Sequence, residues 1–112
     1  MSKYRWNTQK AIDFCFLCAE LELWAWGKGY FLVRDWAKRD MAAQVSIYGK
    51  ERQSYHLYSR AQDYTLFIKE GGKYVWIEDG THPVWDEIAD KAEELGLGTG
   101  RDWDDINHVE LP

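Results

Sequence analysis

Three histidines are the residues from which chemistry could start: His56, His82 and His108. His56 lies in Ser54-Tyr55-His56-Leu57-Tyr58-Ser59-Arg60-Ala61-Gln62-Asp63, and His108 in Asp105-Ile106-Asn107-His108-Val109-Glu110. A catalytic zinc ion takes three protein ligands of the His, Asp or Glu type and keeps a fourth position open for water. His56, Asp63 and His108 supply that count. A nearby carboxylate that is not a ligand can take the proton from the attacking water, and Asp105, three residues before His108, is placed for that role. On spacing alone, surface or core roles for these residues remain the commoner outcome in a domain of this size. His82 precedes Pro83 at a helix start, so a cap or an exposed residue is expected there rather than a further ligand.

Local signals indicate the elements that would position these groups. Asn7 or Thr8 can cap a helix in which Ile12, Phe16, Ala19 and Leu23 recur at helical spacing as the inward face, with Cys15 and Cys18 on its flank. Gly27 and Gly29 end it, and Tyr30-Phe31-Leu32-Val33 reads as a short buried strand. A second helix is expected from about Asp35 to Tyr48, with Trp36, Ala43 and Ile47 inward and Gly49 as its stop. Residues 61–68 and 73–77 flank Gly71-Gly72 as a β-hairpin. Thr81-His82-Pro83 opens a third helix, whose apolar face is Val84, Ile88, Ala92 and Leu95, and Gly96 closes it. Val109-Glu110-Leu111 is a final strand. The order predicts an α+β domain, a small, mainly antiparallel sheet packed with three helices.

Composition narrows the function classes. The chain has 112 residues and no internal repeat or linker-like tract, so one domain over 1–112 is expected. Seven Trp, seven Tyr and four Phe bring more apolar surface than a disordered chain carries. A formal charge of −5 argues against dependence on nucleic-acid phosphates or anionic lipid. No apolar run approaches the roughly 20 residues of a membrane span, and the first residues lack a signal-peptide pattern, so synthesis in a cytoplasm is expected. Cys15 and Cys18 are expected as reduced thiols, serving in core packing rather than as half of a structural zinc site. Trp24, Trp26 and Trp36 are expected to fill the core. The acidic run from Asp86 to Glu94 is expected to be a solvated helix face.

The wording of the two histidine segments adds a resemblance. Ser-x-His-x-x-x-Arg-Ala-x-Asp followed by a strand resembles the first metal motif of the zinc D-Ala-D-Ala carboxypeptidase and L-Ala-D-Glu endopeptidase family. These peptidases of the hedgehog/DD-peptidase fold cut peptidoglycan stem peptides and include phage endolysins. The segment from Ile88 through Gly96-Leu97 and Trp103 to Asp105 and His108 is similar to the family's second motif. The resemblance spans about residues 30–112. It implies that His56, Asp63 and His108 bind zinc and that Asp105 is the general base. It further implies that Arg39, in preference to Arg34, steadies the scissile carbonyl, that Gln44 accompanies it at the family's spacing, and that Ser54 meets substrate beside the metal. A monomeric peptidase acting on the stem peptide follows, made without a signal peptide in a host cytoplasm and working at the bacterial cell wall. Ser59 stands where the family has Gly, and Thr99-Gly100-Arg101 replaces its Trp-Gly-Gly. A catalytically inactive binding module on the same fold is the alternative.

Overall fold

A computed structural model describes residues 6–35 and 60–112. The helix expected from about Asp35 to Tyr48 lies outside the described residues except for Asp35, and so do Trp36, Arg39, Gln44, Ser54, His56 and Ser59. Among the described residues the chain forms α1 (Thr8–Lys28), β1 (Tyr30–Arg34), β2 (Ala61–Glu70), β3 (Lys73–Trp76), α2 (Pro83–Glu94), β4 (Gly98–Gly100), a 3-10 turn (Arg101–Trp103) and β5 (Asp105–Glu110). This is an α+β arrangement with a small antiparallel sheet and, among the described residues, two of the three helices expected from sequence.

The ends of the elements follow local chemistry. Asn7 caps α1, its side chain accepting the Lys10 amide at 3.0 Å. Gly29 terminates α1 at φ 84°, a conformation that only a residue without Cβ adopts at no cost. Gly71 and Gly72 both have positive φ, as a two-residue hairpin turn matched to strand twist requires. Pro83 opens α2, and the His82 ring, through Nδ1, accepts the Val84 amide at 3.2 Å, so His82 is the expected cap.

β2 organises the sheet. One edge pairs with β1 from Tyr64 to Ile68, and the other is divided between β3, at Phe67–Glu70, and β5, at Ala61–Asp63. Between those two partners the edge opens like a fork around Tyr64–Leu66, where the Asn107 side chain donates to the Tyr64 carbonyl at 3.1 Å. Arg60 ties the sheet's lower end: its Nε donates to the Leu111 carbonyl at 2.8 Å, and the Leu111 amide donates to the Arg60 carbonyl at 2.8 Å.

Strand pleating sorts side chains by face. Tyr64 and Leu66 of β2, with Val109 of β5, meet Phe14, Cys18 and Leu21 of α1 and Val84, Trp85, Ile88 and Ala92 of α2 in one core. Fully burying a side chain such as Leu21 or Leu66 contributes about 1.5–3 kcal/mol.

The face that α1 presents to this core corrects the sequence expectation. Ala11, Phe14, Cys18, Leu21 and Ala25 are buried, whereas Ile12, Phe16 and Leu23 are 46%, 68% and 69% exposed. Two apolar stripes run along α1, about 140° apart at 100° per residue. The stripe that packs inward alternates small Ala11, Cys18 and Ala25 with Phe14 and Leu21, which lets the helix lie close to the sheet. Trp26 corrects a second expectation, since it is 68% exposed and does not fill the core, while Trp24 packs partly against it. β1 is half-buried rather than buried, and Val33 is exposed. Cys15 and Cys18 are both free thiols, Cys15 exposed and Cys18 in the core, where burial pushes its thiol up to about 11.

Candidate metal centre

β2 and β5 bring the site together. Their register sets Asp63 directly opposite His108, and Ala61 opposite Glu110. Opposed residues of an antiparallel pair share a face, so Asp63, His108 and Glu110 project from one side of the sheet, while Tyr64 and Val109 project into the core on the other. β5 begins at Asp105, earlier than the sequence indicates, and its entry is fixed by a close crossing with β4. A Cβ on Gly100 would run into the carbonyl oxygen of Asp105, so no side chain fits there. The turn before Asp105 is anchored on α2, with Arg101 bonded to Asp90 at 2.7 Å and to Glu93 at 3.1 Å.

His108 is the centre of the group. Only 9% of the residue is exposed. Its Nδ1 lies 3.0 Å from Asp63 Oδ1 and 3.8 Å from Asp105 Oδ2, and its Nε2 lies 2.7 Å from Glu110 Oε1. A carboxylate only accepts hydrogen bonds, so both ring nitrogens carry protons to satisfy Asp63 and Glu110 together, and the ring is an imidazolium. Burial pulls its pKa down, but the bonds from Asp63 and Glu110 and the charges of Asp63 and Asp105 outweigh it, leaving the pKa raised from 6.5 to about 9.

The same atoms form a set of metal donors. One ligand atom each from Asp63, Asp105 and His108 lies within 4.8 Å of the other two. Ligands at 2.0–2.2 Å around a tetrahedral ion stand about 3.3–3.6 Å apart. The 3.0 and 3.8 Å separations from Nδ1 lie on either side of that value, and an ion held there would take the place of the Nδ1 proton. With Nε2–H directed to Glu110, Nδ1 is the nitrogen turned towards the two aspartates.

Of the residues singled out from sequence, Asp63, Asp105 and His108 are brought together, and Asp105 is the solvent-facing member, its side chain 54% exposed. His56, Arg39, Gln44 and Ser54 lie outside the described residues. Arg34, the competing arginine, pairs at 2.7 Å with Glu22 of α1. It stands opposite Tyr64, whose hydroxyl donates to the same Glu22 oxygen at 2.6 Å, and so faces the helices rather than the metal group.

Glu110 is the member of the cluster missed from sequence. Its alternation with His108 was the available signal, but a strand begun at Val109 leaves His108 outside it. A carboxylate behind a metal-binding histidine holds the ring and raises its basicity. Glu110→Ala is therefore expected to weaken metal binding by about 10–100-fold with the helical circular dichroism signal retained, as read by competition with a chromophoric chelator.

The fork between β3 and β5 holds an open cavity of about 410 Å³, lined by Asp104, Ile106 and Asn107 of the segment that leads to His108 but by none of Asp63, Asp105, His108 and Glu110. Trp76, Ile77 and Ile106 give it apolar walls, and Asp35, Glu78 and Asp104 give it an acidic rim. A scan against protein-family models finds none that matches the chain, and a search of curated proteins finds no significant match.

Proposed function

We propose that the protein is a zinc-dependent peptidase of peptidoglycan stem peptides, a lysis enzyme of phage type. The observation that carries this reading is the convergence of Asp63, Asp105 and His108 from two strands, with one donor atom of each within 4.8 Å of the other two. As the sequence resemblance implies, His56 would complete the ligand set with Asp63 and His108, Arg39 would steady the scissile carbonyl, and Gln44 and Ser54 would meet substrate. A bound zinc supplies Lewis acidity and lowers the pKa of water towards about 7.

The chain's own groups perform the remaining steps. Glu110 would hold the His108 ring through Nε2, leaving Nδ1 turned towards Asp63 and the ion. Asp105, open to solvent, accepts the proton of the water that attacks the peptide carbonyl and passes it to the departing amine.

A second reading has its own support: both ring nitrogens of His108 are already satisfied by carboxylates, as in a binding module that keeps the peptidase fold without the metal. Elemental analysis after exposure to zinc and dialysis separates the two. About one zinc per chain is expected, together with newly freed amines on mass spectrometry of digested peptidoglycan. Because His108 must shed a proton to bind, metal affinity is expected to rise with pH up to about 9. A chain that retains no zinc is the binding module.

A further inference from the structure

We propose that the exposed stripe of α1 is the interface of a two-fold symmetric dimer, formed by a second copy of this chain packed antiparallel against it. Ile12, Phe16, Ala19, Leu23 and Trp26 follow one another at steps of four, three, four and three residues, the spacing that keeps an apolar seam facing a partner helix. Four of them are large, and they are 46%, 68%, 69% and 68% exposed for Ile12, Phe16, Leu23 and Trp26. Isolated exposed apolar residues are ordinary, but a contiguous seam along a 21-residue helix is not.

The seam is self-complementary about Ala19. In an antiparallel pair centred there, the small Ala19 side chains meet at the axis and let the helices approach. Leu23 and Trp26 of one copy then lie over Phe16 and Ile12 of the other. Grooves stand ready at both ends. One of about 380 Å³ opens beside Phe16, with Leu17, Leu95 and Leu111 in its walls. The other, of about 600 Å³, opens beside Leu23 and Trp26, against Phe31 and Leu32 of β1. The same seam and grooves then serve both copies, as an isologous contact requires.

The area is sufficient. The four large side chains leave on the order of 500 Å² exposed, so two copies bury about 1,000 Å², the lower bound for a specific interface. Asp13 and Glu20 border the seam, and in a self-pair they bring like charges near one another. Association is therefore expected to strengthen as salt screens them, whereas docking of a cationic helix or an anionic membrane would respond oppositely or not at all.

Sedimentation equilibrium of the full chain, with chelator present to exclude metal bridging, tests the proposal. A reversible monomer–dimer equilibrium is expected, tighter in high salt. Phe16→Glu and Leu23→Glu alter exposed positions, so their circular dichroism should match the parent while each weakens dimerisation on the order of 100-fold. A chain that stays monomeric at high micromolar concentration overturns the proposal. So does a dimer that both variants leave intact, or one that weakens with salt. Zinc content plays no part in these readouts, so their failure leaves the peptidase reading standing.

Discussion

His108→Ala is expected to remove metal binding and, in the metal-free protein, to remove about 3 kcal/mol of proton-linked stability at pH 6, a contribution that fades as pH rises through about 9. The folded chain holds this histidine at a pKa of about 9, against 6.5 for an unconstrained ring. A raised pKa means that the native state binds the proton more tightly than the unfolded chain does. The corresponding stability is fully present below pH 6.5 and is lost as pH rises through about 9. The parent protein in chelator should therefore lose about 3 kcal/mol over that window, while the alanine variant loses none of it. Urea denaturation at several pH values measures both curves. The physical cause is visible in the site: with the ring gone, Asp63 and Glu110, 20% and 16% exposed at their side chains, face one another without the cation between them. A parent curve that is flat across the window would show that the imidazolium clamp does not form.

Asp105→Ala is expected to lower peptidoglycan hydrolysis by roughly 10²–10⁴ while the fold and the bound zinc persist. The expectation follows from where Asp105 stands. It is the exposed member of the group, farther from the His108 ring than Asp63 is, at 3.8 Å against 3.0 Å. An exposed carboxylate at the edge of a metal group can exchange protons with substrate and solvent, which a ligand deep in the strand pair cannot do. Asp105→Glu should recover part of the rate, since the proton acceptor is restored on a longer arm. Zinc content and hydrolysis must be read on one preparation. Zinc lost together with activity would make Asp105 a ligand, and hydrolysis unchanged would remove it from the reaction.

Gly100 links this chemistry back to the chain. The crossing of β4 and β5 that sets Asp105 beside His108 leaves no room for a Cβ at that position, so a rule as local as one missing methyl group positions the proposed base. The sequence shows the glycine but not what it clears, because the strand that passes it comes into contact only after the sheet has closed.

The elements themselves were legible in the sequence wherever their ends are decided by a few neighbouring residues. Asn7 and Gly29 bound the first helix, Gly71-Gly72 turns the hairpin, and Pro83 starts the second helix of the structure, each through backbone energetics that need no distant partner. Asp63, Asp105 and His108 were singled out through the sequence resemblance, since their spacing alone is a weak signal, and the register of β2 and β5 is what brings the three together. Tertiary structure alone decided which of the two apolar stripes of α1 faces inward. Both satisfy the helical period, and the choice falls to the stripe whose small residues admit the sheet, leaving Phe16 and Leu23 outside. It also decided where β5 begins, and with it the contact of Glu110 with His108. A strand's start depends on the partner edge it meets, here Ala61–Asp63 of β2, some forty-five residues away along the chain.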